Sequence, residues 1–152
     1  MMEKDKIIEK VNELIQTNKD SEEGFKTAAA SVEDNQTTAL FEELSNQRGH
    51  FARELQDMVQ QFGGEPAESG TFSGTLKRGW MNIKTAVTSD DKTAVLNECE
   101  RAEDVAKEAY EDAMKSRLPE SVSDVVSRQY HLVKAAHDRV KALRDRSRAA
   151  AG

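Results

Sequence analysis

Apolar residues recur every three or four positions through most of this chain, and the pattern lapses in only a few places. In the first stretch they fall at Ile7, Ile8, Val11, Leu14, Ile15, Phe25, Ala28, Ala29 and Val32, which predicts one helix from about Lys4 to Val32. Asn18 and Glu22 continue the same face through its centre. Gly24 is an internal weak point beside Phe25 that permits close packing. Charged residues around Glu33 and Asp34 mark a short turn. A second stripe comes next at Leu40, Phe41, Leu44, Phe51, Leu55, Met58, Val59 and Phe62, its central gap filled by Gln47 and Arg48. Gly63, Gly64 and Pro66 end it.

The periodicity disappears from Glu65 to Ser73, a stretch rich in Gly and Ser. A short amphipathic segment succeeds it, with Leu76, Trp80, Ile83 and Val87 at helical spacing. From Asp91 a third long helix carries Val95, Leu96, Cys99, Ala102, Ala106, Tyr110, Ala113 and Met114, with Glu103 on the same side and Glu100 flanking it. Leu118 and Pro119 stop it. The last stripe, with Ser121 as its expected cap, holds Val122, Val125, Val126, Leu132, Val133, Ala136, Val140 and Leu143, and Gln129 lies inside the row.

Short links after the first and third long helices make each pair antiparallel neighbours, whereas about thirty residues separate the second from the third. A link of that length can travel the whole bundle. The expected fold is therefore all-α: an antiparallel four-helix bundle of ferritin-like topology, whose long crossover carries a short extra helix. It forms a single domain over residues 1–147, with 148–152 as a flexible C-terminal tail. Trp80 is expected to cap an open end or edge of the core, since a single aromatic at helical spacing is more often packing than a ligand platform.

Composition narrows the function. The 152 residues carry 22 basic and 28 acidic side chains, a net charge of −6, which argues against a general nucleic-acid binder. The basic residues from Arg128 to Arg148 are spread around a helix and complement its C-terminal dipole. A single cysteine, Cys99, allows no internal disulfide, and no stretch approaches membrane-spanning length. The expectation is a cytoplasmic protein with no membrane or nucleic-acid partner. Cys99 in an apolar stripe is expected to act as a small buried hydrophobe.

Every long stripe has polar residues near its middle: Asn18 and Glu22, Arg48, Glu100 and Glu103, and Gln129. Four-helix bundles build internal sites at that level. A carboxylate-bridged di-metal centre needs Glu-x-x-His on two helices, yet the residues three before His50, His131 and His137 are Gln47, Arg128 and Lys134. Arg48 weighs further against a metal, because a guanidinium about 5 Å from a divalent ion repels it by roughly 6 to 7 kcal/mol at an effective dielectric near 20. Buried unpaired, Arg48 would cost several kcal/mol, so it should recruit Glu22, Glu100 or Glu103.

The leading reading is a hydrogen-bonded ion network that fixes helix register, with no cofactor. The alternative is a displaced metal site drawn from His50 with Glu54, or from His137 with Glu100 or Glu103. Signatures of hydrolases, phosphate-binding loops and redox dithiols are missing from the sequence, so a non-catalytic protein is expected.

The segments Asp20-Ser-Glu-Glu-Gly24-Phe25, Gln47-Arg48-Gly-His-Phe51-Ala-Arg-Glu54-Leu55, Gly63-Gly64-Glu-Pro66, Arg78-Gly-Trp80-Met81, Glu98-Cys99-Glu100-Arg101-Ala-Glu103-Asp104, Leu118-Pro119 and His137-Asp138-Arg139-Val140 together resemble an uncharacterised bacterial family of ferritin-like four-helix bundles, a domain of unknown function. Ala102 stands where the resemblance leads one to expect Gly. Compared with the wider ferritin superfamily, the metal-ligand registers fall on Asn18, Arg48 and Gln129. The resemblance thus implies a scaffold whose ligands have been replaced, with Glu100 or Glu103 as the acidic remnant. The expected protein is non-catalytic and stress-related, an interaction protein with an unidentified protein partner and possible homodimerisation. The alternative is an atypical metal-binding or storage protein. A third class is a small-ligand carrier using space beneath Trp80 and the Gly-Ser stretch.

Overall fold

The computed structural model describes residues 3–68 and 80–151, and all regular structure among them is helical. The helices are α1 (Lys4–Ser31), α2 (Asn35–Gln61), α3 (Ile83–Thr88), α4 (Lys92–Met114) and α5 (Glu120–Ala151). Residues 69–73 of the Gly- and Ser-rich stretch, and Leu76, lie outside the described residues.

Local chemistry sets the boundaries. Asp34 caps α2: its carboxylate accepts from the Gln36 backbone N–H at 3.3 Å and from the Thr37 hydroxyl at 2.5 Å. Asp91 caps α4 in the same way, through Thr93 N–H at 2.9 Å. At the end of α2 the Gly64 N–H bonds the Val59 carbonyl and the Gly63 N–H that of Gln60. Gly63 sits at φ +77°, so this is a Schellman cap, in which glycine meets the left-handed turn without a Cβ clash. Two expected boundaries move, both of them at the ends of α5. Ser121 lies inside the first turn of α5, and the Pro119 carbonyl accepts the first bonds, from the Val122 and Ser123 N–H groups. At the other end, α5 continues through Ala151, so residues 148–151, where a tail is expected, are helical. Arg148 reaches across to Asn97 at 2.8 Å.

The cross-helix bonds fix the directions. Lys10–Asp112 and Asn18–Tyr110 lay the start of α1 on the end of α4. Glu43–Arg139 and Glu54–Arg128 run α2 against α5, and Thr93–Ser147 with Glu111–Tyr130 run α4 against α5. Ser45 donates to the Glu22 carbonyl between α2 and α1. Each long helix is therefore antiparallel to both of its neighbours, in the cyclic order α1, α2, α5, α4. α2 and α4 run the same way, which is why the link between them must travel the length of the bundle.

Two apolar clusters fill the interior. One joins Phe25, Ala28, Leu40, Phe41, Leu44, Leu96, Cys99, Ala136 and Val140; the other joins Ile7, Val11, Leu14, Ile15, Phe51, Leu55, Val59, Tyr110, Val122, Val126 and Val133. Trp80 belongs to the first, edge-on to Phe25 with centroids 5.0 Å apart. It sits over Gly24 so closely that a Cβ there would overlap the indole ring. With its ring on Gly24 and Phe25, Trp80 seals a flank of the core. Between the two clusters lies a layer of buried polar side chains.

Candidate functional site

That polar layer has two parts. In the first, Arg48 of α2 and Glu103 of α4, both fully buried, meet in a bidentate pair with Nη1–Oε1 at 2.5 Å and Nη2–Oε2 at 2.6 Å. The Arg48 Nε donates to Gln47 Oε1 at 3.1 Å, and the guanidinium lies 5.5 Å from the Phe25 ring centroid. Two parallel charge-assisted bonds, a side-chain amide and a ring face thus replace the water that both charges have lost.

The second part is a relay of hydrogen bonds across the bundle. Asn18 Nδ2 donates to the Leu14 carbonyl at 2.8 Å and to the Tyr110 hydroxyl at 2.7 Å. That hydroxyl donates to Gln129 Oε1 at 2.6 Å, and Gln129 Nε2 donates to Glu54 Oε1 at 2.8 Å. Arg128 closes the relay on Glu54 Oε2 near the surface. Burial pushes the Tyr110 phenol well above its ordinary range, against the lowering influence of Asn18 and Arg48. Burial, reinforced by the Glu103 and Glu98 carboxylates, likewise drives the Cys99 thiol well above its ordinary value. That leaves Cys99 without the thiolate character a nucleophile needs.

Of the residues the sequence places at this level, Arg48 meets Glu103, while Asn18 and Gln129 meet through Tyr110. Glu22 and Glu100 stand apart. The Glu22 carboxylate lies over Gly49, 3.9 Å from Lys19, and Glu100 pairs with Arg144 on the α4–α5 flank. His50 is exposed and Glu54 is committed to the relay. His137, by contrast, lies between α5 and α4 beside Glu100 and Asp104. Tyr110 and Glu54 are the members that sequence pattern misses as parts of the central network. A phenol within an apolar stripe was the available signal, because a buried tyrosine hydroxyl needs a partner.

A groove of about 1010 Å³ opens elsewhere, lined in part by Ile8, Asn12, Glu65, Pro66, Ala109 and Ala113. Asn12 bonds the Glu65 carbonyl and the Ala67 N–H at its edge. No helix among the described residues is long and apolar enough to cross a membrane.

These features define a helical-bundle protein whose centre is closed by its own ion pair. Residues 6–116 match a domain of unknown function, DUF2383, and the chain belongs to that family. The match spans α1 to α4, and so includes Asn18, Arg48, Glu103 and Tyr110. No curated protein matches the chain.

Proposed function

We propose that this protein is a non-catalytic, ferritin-like bundle that works through its surface as an interaction protein in bacterial stress physiology, and that its central level is structural. The Arg48–Glu103 pair carries this reading. A fully buried bidentate ion pair lies at the level to which the sequence resemblance assigns the metal ligands of a ferritin-type bundle, and it commits Glu103, the fully buried carboxylate there, to a guanidinium. The antiparallel ring of long helices with a lengthwise crossover supports the ferritin-like assignment. The bacterial setting and the stress role come from the sequence resemblance, the cytoplasmic setting from the lone cysteine, and the partner is a protein, with a second copy of this chain the simplest candidate.

Aerobic turnover of Fe²⁺, followed by ferric absorbance and oxygen consumption, tests the non-catalytic centre. The expected result is no protein-dependent oxidation, and none gained or lost on Glu103→Gln. Stoichiometric oxidation that Glu103→Gln abolishes would overturn the reading.

A further inference from the structure

We infer that Glu100, Asp104 and His137 form a binding site for one divalent transition-metal ion of the zinc class on the α4–α5 flank, separate from the Arg48 level. Glu100 and Asp104 are one turn apart on α4, so both project from one face. His137 approaches from α5. One ligand atom from each lies within 4.8 Å of the other two. An ion about 2.0 to 2.2 Å from each donor spans ligand separations up to roughly 4 Å, so small side-chain adjustments close the site. One imidazole nitrogen and two carboxylates suit a borderline ion and leave a fourth position for water.

The independent observation is the state of His137. The residue is 8% exposed, and its Nε2 is shut off from solvent without a hydrogen-bond partner. The Asp104 Oδ1 lies only 2.6 Å from that nitrogen, but the contact lacks the direction of an N–H bond. A cation on the Nε2 lone pair would contact both atoms once they draw apart to the roughly 3.3 Å that separates two ligands of a tetrahedral ion. On the far side of the ring, Nδ1 lies 3.2 Å from Asp138. A carboxylate there holds the tautomer that presents Nε2 to a metal, as is usual behind ligating histidines.

Arg144 is the opposing charge, paired with Glu100 Oε2. Unlike Arg48 it is partly exposed, and it already bonds Asp145 at 2.9 Å. The ion competes with Arg144 for Glu100, and Asp145 receives the guanidinium when the ion binds.

Calorimetric titration of the full chain with ZnCl₂ alone, and separately with MnCl₂, tests the site. The expected result is one Zn²⁺ per chain, bound more tightly than Mn²⁺ and accompanied by a higher melting temperature. His137→Ala should weaken binding at least tenfold, and so should Asp104→Asn, whose half-exposed position spares the fold. Arg144→Gln should tighten it, while Glu103→Gln and His50→Ala leave it unchanged. A lack of Zn²⁺ binding in the folded protein, or binding indifferent to both His137→Ala and Asp104→Asn, would overturn the proposal. Loss of binding in Glu103→Gln alone, with that variant still folded by circular dichroism, would place the ion at the centre and count instead against the structural reading of Arg48.

Discussion

At the scale of single residues, burial sets the ionisation of the buried groups and their partners moderate it. Tyr110 shows this with a definite sign in pH. Its phenol ionises above the ordinary value of 10 in the folded chain, so its contribution is complete below pH 10 and is lost as pH rises toward the folded value. Tyr110→Phe should flatten the fall in melting temperature above pH 10, and near neutrality it should cost about 1 to 2 kcal/mol, because Gln129 and Asn18 lose a partner. A thermal-melt series from pH 7 to 11.5 checks both, and an unchanged alkaline slope would contradict the assignment. Cys99 should react slowly with thiol reagents until the chain unfolds. Rapid stoichiometric labelling of native protein would contradict its buried, protonated state.

At the scale of elements, the stripes of α1, α2, α4 and α5 were legible in the sequence because each repeats its apolar residues over many turns, a signal that survives local exceptions. Gly24 was legible too, although its counterpart was not. The Trp80 ring on α1 is a tertiary contact across the crossover that no local pattern encodes. Gly24→Ala should cost about 1 to 3 kcal/mol by forcing that ring off Phe25, seen as a lower denaturation midpoint together with a shift in Trp80 fluorescence. The Asp34 cap was hidden in what reads as a charged turn. Its carboxyl is held at about 2, against an ordinary 3.8, first by the Thr37 hydroxyl and then by Lys92. Its contribution is therefore present above the ordinary carboxylate range and fades as pH falls toward 2. Asp34→Ala should lower the melting temperature at pH 7 and bring the wild type and variant closer together at pH 2, which parallel melts at the two pH values would show. The Ser121 boundary was misplaced because a cap preference on its own does not reveal that the Pro119 carbonyl already accepts the first helical bonds.

At the scale of the molecule, the polar residues at mid-helix marked a central layer, but not who pairs with whom. Arg48 had three candidate carboxylates on sequence grounds. Helix rotation selects among them: Glu103 faces the interior, whereas Glu100, three residues earlier, is turned toward α5 and Glu22 toward α2. The same rotation sets Glu100 beside His137 and Asp104, so one helix serves a closed ion pair on one side and a candidate cation site on the other. Two apolar clusters separated by a paired polar layer give the bundle a fixed register, since sliding α2 or α4 by a turn would strand a buried charge and sliding α1 or α5 would break the Asn18–Tyr110–Gln129 relay.

A double-mutant cycle on Arg48 and Glu103, read by urea denaturation, tests this account most directly. Arg48→Met and Glu103→Leu should each cost about 3 to 5 kcal/mol by leaving a buried charge alone, and the double variant should recover most of that loss. Single variants as stable as the wild type, or losses that simply add in the double variant, would contradict a bundle centred on this pair.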